Sequence, residues 1–255
     1  MTSTTPQGPS ASSTVDAPHA TWLRRLDTRT DAATRLICLP HAGGSASAYR
    51  SWLPDWHDAP ELWAVQYPGR EDRTPEALPH TLPQLAQHIA LALQWMADKP
   101  YMLFGHSMGA VLAYETARQL SQLGLPAPTR LIASGSPAPA TAGTPSAPPD
   151  PEPDVQWLHE GDAAPDPELR RTATHILKGD LALLAAYAQE PQSRPLNLPL
   201  LVLTNEDDPD VNDDTVTDWS RCTSCAVEHT ALPGNHFACY EQATHILAAL
   251  RATDS

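Results

Sequence analysis

Several features that define other classes of protein are scarce or missing in this 255-residue sequence. No apolar window approaches the ~18 residues that a membrane-spanning helix needs. The first residues, Met1-Thr-Ser-Thr-Thr-Pro6, lack the positive and apolar regions of a signal peptide. We therefore expect a cytoplasmic protein that does not associate with a membrane.

Basic residues are also scarce, since 16 Lys and Arg stand against 30 Asp and Glu, for a formal net charge of −14. The chain has no basic run of the kind that contacts phosphates. Nucleic acid is therefore not expected as a partner.

The sequence has only four cysteines, Cys38, Cys222, Cys225 and Cys239. In a chain of this length without a secretion signal, reduced thiols are expected rather than a disulfide framework. Cys222 and Cys225 have C-x-x-C spacing, but no second ligand pair follows at similar spacing. We expect no metal site, and a metal or redox role for this pair is the minor alternative.

Short apolar runs alternate with helical patterns along the chain. Helices are predicted at residues 82–96, 110–123 and 240–251. Continuous apolar strands are typical of a parallel sheet covered on both faces, and their alternation with helices predicts a doubly wound α/β fold. The predicted strands are Leu36–Leu39, Leu62–Val65, Tyr101–Phe104, Leu131–Ala133 and Leu200–Leu203, with a weaker candidate at Cys225–Glu228.

The chain divides into a tail and one domain. Residues 1–20, rich in Ser, Thr, Pro and Ala, predict a disordered tail, and residues 21–255 predict a single domain. Residues 137–195 interrupt the alternation of strands and helices. They contain a proline-rich stretch at 137–153 and helix-like pieces around 154–160 and 166–189. We interpret this insertion as a mobile loop and a helical lid, because its apolar run at 181–187 needs a surface to bury against. A surface linker is the alternative.

One motif carries the chemistry, Gly105-His106-Ser107-Met108-Gly109, which matches G-x-S-x-G. A strand before it and a helix after it place Ser107 at a sharp turn that raises its Oγ above the carboxyl edge of the sheet. Glycines two residues away on either side indicate that side chains have no room there. The context predicts a nucleophilic Ser107 at the N-terminus of a helix.

A nucleophilic serine needs a general base, which an acid must orient. His236 follows a Pro-Gly-Asn turn after the last strand candidate, and Asp208 follows the strand at 200–203, just before Pro209. The order Ser, Asp, His is the one expected of an α/β-hydrolase. The alternatives are His229 as the base and Glu206, Asp207 or Asp210 as the acid.

An oxyanion hole needs two N–H donors. Met108, the residue after the nucleophile, is the first predicted donor. The second is Ala42, in a glycine-rich loop that follows an early strand, with His41 and Gly43 shaping the loop. An ordinary Gly-Gly turn is the alternative.

The chain resembles the type II thioesterases that accompany modular polyketide synthases and nonribosomal peptide synthetases. In that family the acid lies in a pattern similar to G-D-x-D-P, and here Asp208 and Pro209 align within Asn205–Pro209. The similar stretches are WLRRL (22–26), RLICLPHAGGSASAYRSW (35–52), AVQYPGRE (64–71), LFGHSMGA (103–110), DLALLAAY (180–187) and PGNHF (233–237).

The resemblance implies an α/β-hydrolase core with a helical lid. It implies an enzyme that edits assembly lines by hydrolysing acyl thioesters on the phosphopantetheine arm of acyl or peptidyl carrier proteins. We expect this enzyme to be a monomer. That arm arrives with the substrate, so no resident cofactor is expected. Candidate contacts to an acidic carrier are Arg24, Arg25, Arg70 and Arg73, unless these are ordinary solvated charges. The alternatives are a generic carboxylesterase, an acyltransferase and a non-catalytic carrier-binding scaffold.

Overall fold

The computed structural model describes residues 18–29, 31–139, 166–187, 195–211 and 213–252. In these ranges seven strands form one sheet, in the order β1-β3-β2-β4-β5-β6-β7. Neighbouring strands are parallel, except that β1 runs antiparallel to β3. The predicted mostly parallel α/β sheet is therefore confirmed. The strands are β1 (Leu23–Arg25), β2 (Arg35–Leu39), β3 (Glu61–Val65), β4 (Tyr101–His106), β5 (Arg130–Ser134), β6 (Leu200–Asn205) and β7 (Val227–Leu232).

The helices follow from recognisable start and stop signals. Thr81 caps the first helix by accepting the Gln84 N–H at 3.3 Å, and Gly124, at φ 64°, ends the second in the left-handed conformation. The second helix begins at Met108, two residues earlier than predicted. The α-helices are α1 (Leu82–Leu93), α2 (Met108–Leu123), α3 (Pro167–Ala186), α4 (Asp213–Ser220) and α5 (Ala243–Ala252), and a 3-10 helix spans Ala46–Asp55.

The elements that were not predicted include β1, α4 and the 3-10 helix at Ala46–Asp55. The last strand was also misplaced, because β7 spans Val227–Leu232 rather than 225–228. This strand lies at the edge of the sheet and has exposed polar residues, so it lacks the apolar run of the central strands. His229 lies within β7, where its Nε2 contacts Thr204 Oγ1 at 2.8 Å.

Each face of the sheet carries its own hydrophobic cluster, because successive strand residues point to opposite faces. In β2, Ile37 and Leu39 pack into the cluster that includes α1 and α2. Leu36 and Cys38 pack into the cluster that includes the 3-10 helix and α5. Burial on both faces explains why the central strands are continuously apolar.

The predicted tail and lid lie only partly within the described residues. Residues 1–17, 140–165 and 188–194 fall outside them, and so does the helix-like piece at 154–160. The helical piece predicted at 166–189 is present as α3, and Tyr187 at its end donates to Glu115 Oε2 of α2 at 2.9 Å. None of the described helices is long and apolar enough to cross a membrane.

A buried ion-pair network lies at the amino edge of the sheet. The Glu61 carboxylate accepts from Arg35 Nε at 2.9 Å and from Lys99 Nζ at 2.6 Å. Burial works to raise the pKa of Glu61, but hydrogen bonds from Lys99 and Arg35 outweigh it and lower the pKa to about 2. The charged carboxylate therefore stabilises the folded state at neutral pH.

Replacing Glu61 by Gln should lower the free energy of unfolding at pH 7 by about 3 kcal/mol, because the cations lose their buried partner. Since the folded pKa of Glu61 is depressed, its contribution is present above its unfolded pKa of about 4.3. This contribution is lost as the pH falls towards about 2. The difference in the free energy of unfolding between wild type and variant should therefore narrow over that range. Urea denaturation at several pH values measures both effects.

The matched control is Asp98→Asn, which removes an exposed partner of the same Arg35. We expect a loss below about 1 kcal/mol, since exposed ion pairs contribute little. Equal losses in the two variants would contradict the assignment of the stabilisation to Glu61.

Candidate active site

Ser107 lies between the end of β4 and the start of α2 in a strained conformation, with φ 55° and ψ −123°. Its N–H donates to Ser134 O at 2.8 Å, which holds the turn against β5. A Cβ at Gly105 would clash with the backbone of Gly109, and one at Gly109 would clash with the Leu39 carbonyl. The expectation that side chains have no room at this turn is therefore confirmed.

His236 follows β7, and its Nδ1–H donates to Asp208 Oδ2 at 2.6 Å. The Asp208 side chain is fully buried, whereas the His236 side chain is 23% exposed. A buried acid with an accessible imidazole is the arrangement that a general base requires. Of the four acids considered for this loop, Asp208 is the one that contacts His236, and the other three are exposed.

Hydrogen bonds between the loops that follow β6 and β7 hold this pair in place. The Asp207 N–H donates to Gly234 O at 3.0 Å, and Asn205 Nδ2 donates to Asn235 O at 2.7 Å. The acid and the histidine therefore lie on two loops that are joined by a backbone hydrogen bond and by the Asn205 side chain.

Two further histidines lie at the same edge of the sheet. The His106 ring, one residue before Ser107, lies 4.9 Å from the His236 ring between centroids, so His236 is at the serine turn. Burial lowers the pKa of His106 well below its ordinary value. Burial, and then the charges of His236 and Arg70, lower the pKa of His41 to about 4. Both rings are therefore neutral at pH 7. Of the three rings, His236 is the one that a buried carboxylate orients.

The predicted oxyanion donors lie on either side of the turn. Met108 is the first residue of α2, and Ala42 lies in the loop after β2, whose Leu39 pairs with Gly105 of β4. Among the described residues, no hydrogen-bond acceptor is found for the amide of Met108 or Ala42. Two available N–H donors beside a serine could bind a developing oxyanion.

A cleft of about 560 Å³ is lined by His41 and by residues 233–235, 237, 238 and 240–242. The His41 Nδ1 contacts the Tyr240 hydroxyl at 2.5 Å across its wall.

The structure corrects the predicted surface arginines. Arg70 and Arg73 are only 3% and 4% exposed, so neither can contact a partner, and neither is an ordinary solvated charge. Arg73 pairs with Glu76 and lies 4.2 Å above the Trp22 ring, whereas Arg70 pairs with Asp180 of α3. The sequence did not identify Asp180 as a site residue. Its position is defined by a contact with Arg70, which lies 110 residues away in the chain.

The four cysteines are free thiols, and three of them are buried.

Ligand atoms of Asp208, Asp210 and His236 lie within 4.8 Å of one another. Two of these three residues are already joined by the hydrogen bond from His236 Nδ1 to Asp208 Oδ2.

A family model described as the thioesterase domain matches residues 34–253 of this chain. The chain is 33% identical over 260 residues to Thioesterase PikA5 of Streptomyces venezuelae, covering 92% of this chain and 88% of that protein. It is similar to the solved RedJ thioesterase from the prodiginine biosynthetic pathway of Streptomyces coelicolor, with a TM-score of 0.76, 33% identity and coverage of 87% and 86% of the two chains. It is also similar to BorB, a type II thioesterase from the borrelidin biosynthetic cluster, with a TM-score of 0.74, 32% identity and coverage of 91% and 97%.

Replacing Asp208 by Asn should lower kcat for a p-nitrophenyl ester by about 10⁴-fold, because an amide favours the wrong imidazole tautomer. Steady-state kinetics measure this loss, and circular dichroism checks the fold. The matched control is Asp207→Asn, an exposed acid next in the chain, which should keep wild-type kcat. A greater loss in the control than in Asp208→Asn would move the role to Asp207.

Proposed function

Because the chain belongs to the thioesterase family and is a type II thioesterase with an α/β-hydrolase fold, we propose that it hydrolyses acyl thioesters on the phosphopantetheine arm of acyl or peptidyl carrier proteins. This activity clears stalled or misprimed acyl groups from polyketide or nonribosomal peptide assembly lines. The observation that carries the proposal is the Asp208–His236 hydrogen bond beside the strained turn at Ser107.

In the first half-reaction, His236 Nε2 takes the proton from Ser107 as Oγ attacks the thioester carbon. The N–H groups of Met108 and Ala42 bind the oxyanion that forms on the carbonyl oxygen. The C–S bond then breaks, and His236 returns its proton to the pantetheine sulfur. A thiol has a pKa of about 8.5, so it leaves with little acid assistance. Ser107 is now acylated.

In the second half-reaction, His236 takes a proton from water, and the hydroxide attacks the acyl-serine carbon. The ester C–O bond breaks, the proton passes to Ser107 Oγ, and the free acid leaves. Asp208 orients the imidazole and stabilises its positive charge in both steps.

The proposal includes a monomer without a resident cofactor, acting in the cytoplasm beside its synthase. The mechanism supports a monomer, because the nucleophile, the base, the acid and both oxyanion donors come from one chain.

The test is intact mass spectrometry of a carrier protein loaded with acetyl-phosphopantetheine, incubated with wild type or with Ser107→Ala. Wild type should remove the acetyl mass, and the variant should leave it, because the variant has no nucleophile. The melting temperature of the variant should match that of wild type, which shows that the fold is intact.

Three other outcomes point to the alternatives. If wild type leaves a series of acylated carriers loaded but cleaves a p-nitrophenyl ester, a generic carboxylesterase is favoured. Transfer of the acyl mass to an added amine or alcohol identifies an acyltransferase. Binding of the carrier without either reaction identifies a scaffold.

A further inference from the structure

Helix α3 brings one fully buried carboxylate, Asp180, to the loop that holds the second oxyanion donor. Its Oδ2 accepts the Gly43 N–H at 2.6 Å and pairs with the Arg70 guanidinium. Arg70 Nε in turn donates to Gly44 O at 3.2 Å. One ion pair therefore holds the two residues that directly follow Ala42.

The same loop is constrained from its other end. Tyr49 donates its hydroxyl to Leu39 O at 2.8 Å, and Tyr67 donates to Pro40 O at 3.0 Å. Between these anchors and the ion pair, Gly43 adopts a left-handed φ of 81° that a side chain would strain. Ala42 lies between these two hydrogen-bonded ends of the loop. The orientation of the Ala42 N–H therefore depends on both ends.

Stability alone does not account for this ion pair. Burial raises the pKa of Asp180, while Arg70 and the Gly43 N–H work to lower it. Burial is the larger effect, so the surroundings as a whole disfavour the charged carboxylate. Apolar side chains of similar volume often stabilise a fold as well as a buried ion pair does. Charge-assisted hydrogen bonds additionally fix the direction of the groups that they join.

We propose that Asp180 is a positioning residue for catalysis. Held by Arg70, its carboxylate fixes the Gly43 amide and thereby keeps the Ala42 N–H aimed at the oxyanion. The inference rests on the proposed function, because it assumes that Ser107 forms a tetrahedral intermediate. It gives α3 a part in the chemistry besides its packing against α2.

The structure supplies a matched control on the same helix. Tyr187, just after α3, anchors it to α2 through its hydrogen bond to Glu115 and does not contact the loop at residues 40–44. Tyr187→Phe weakens the attachment of the helix without touching the oxyanion donor. A purely structural role of α3 predicts similar effects from Tyr187→Phe and from Asp180 variants, whereas a positioning role does not.

The test measures p-nitrophenyl ester hydrolysis by wild type, Asp180→Ala, Asp180→Asn and Tyr187→Phe. In Asp180→Ala, kcat should fall about 10- to 100-fold, less than the ~10²–10³ lost when an oxyanion donor is removed outright. KM should change less than about threefold, since the interaction acts in the transition state. Asp180→Asn still offers an oxygen to Gly43 and should lose less, and Tyr187→Phe should keep wild-type kcat.

A second readout isolates the oxyanion. A trifluoromethyl ketone forms a tetrahedral adduct with a serine, so its affinity should fall in Asp180→Ala by the same factor as kcat/KM. A thioether analogue without a carbonyl should bind wild type and variant equally. Unchanged ketone affinity, equal losses for both analogues, or an equal loss in Tyr187→Phe would overturn the proposal.

Melting temperatures accompany each variant, and if Asp180→Ala does not fold, Asp180→Asn and its ketone affinity decide the question. Neither probe involves a carrier protein. Failure of wild type to unload a carrier therefore counts against the proposed substrate, whereas wild-type kinetics in a folded Asp180 variant count against the positioning role.

Discussion

The site depends on three backbone segments that approach one another more closely than side chains would allow. Gly105 at the end of β4, Gly109 in the first turn of α2, and the Leu39 carbonyl at the end of β2 lie in mutual contact. Because the helix begins directly against the strand, the connecting residue Ser107 adopts a left-handed conformation. The same close approach brings the loop after β2 beside the serine turn, so the proposed nucleophile and the proposed second oxyanion donor share one constraint.

The titratable groups at this edge of the sheet differ in burial, and this difference suits them to different roles. Asp208 is fully buried and hydrogen-bonded, so it can orient its partner without contact with solvent. His236 is partly exposed and can exchange protons with substrate and water. His41 and His106 lie close by but are kept neutral by burial, so neither adds a positive charge to this edge of the sheet.

Helix α3 is attached to the core at two separate points. Tyr187 contacts Glu115 of α2, and Asp180 reaches Arg70 and the loop after β2. The second attachment draws an arginine inward that composition alone would place on the surface. It also links α3 to the loop after β2, so the conformation of that loop depends on this helix.

Much of the architecture was determined locally. Apolar runs identified five strands, cap residues identified the ends of helices, and the motif around Ser107 required its glycines. The order of serine, acid and histidine predicted which sheet edge carries the site. By contrast, the polar edge strand β7, the contact of Asp208 rather than its acidic neighbours with His236, and the inward turn of Arg70 were decided by tertiary structure. The physical reason is that hydrogen bonds along a helix, and the apolar pattern of a buried strand, depend on nearby residues. The partner of a buried charge depends on which distant segment the fold brings within reach, and for Arg70 that partner is 110 residues away.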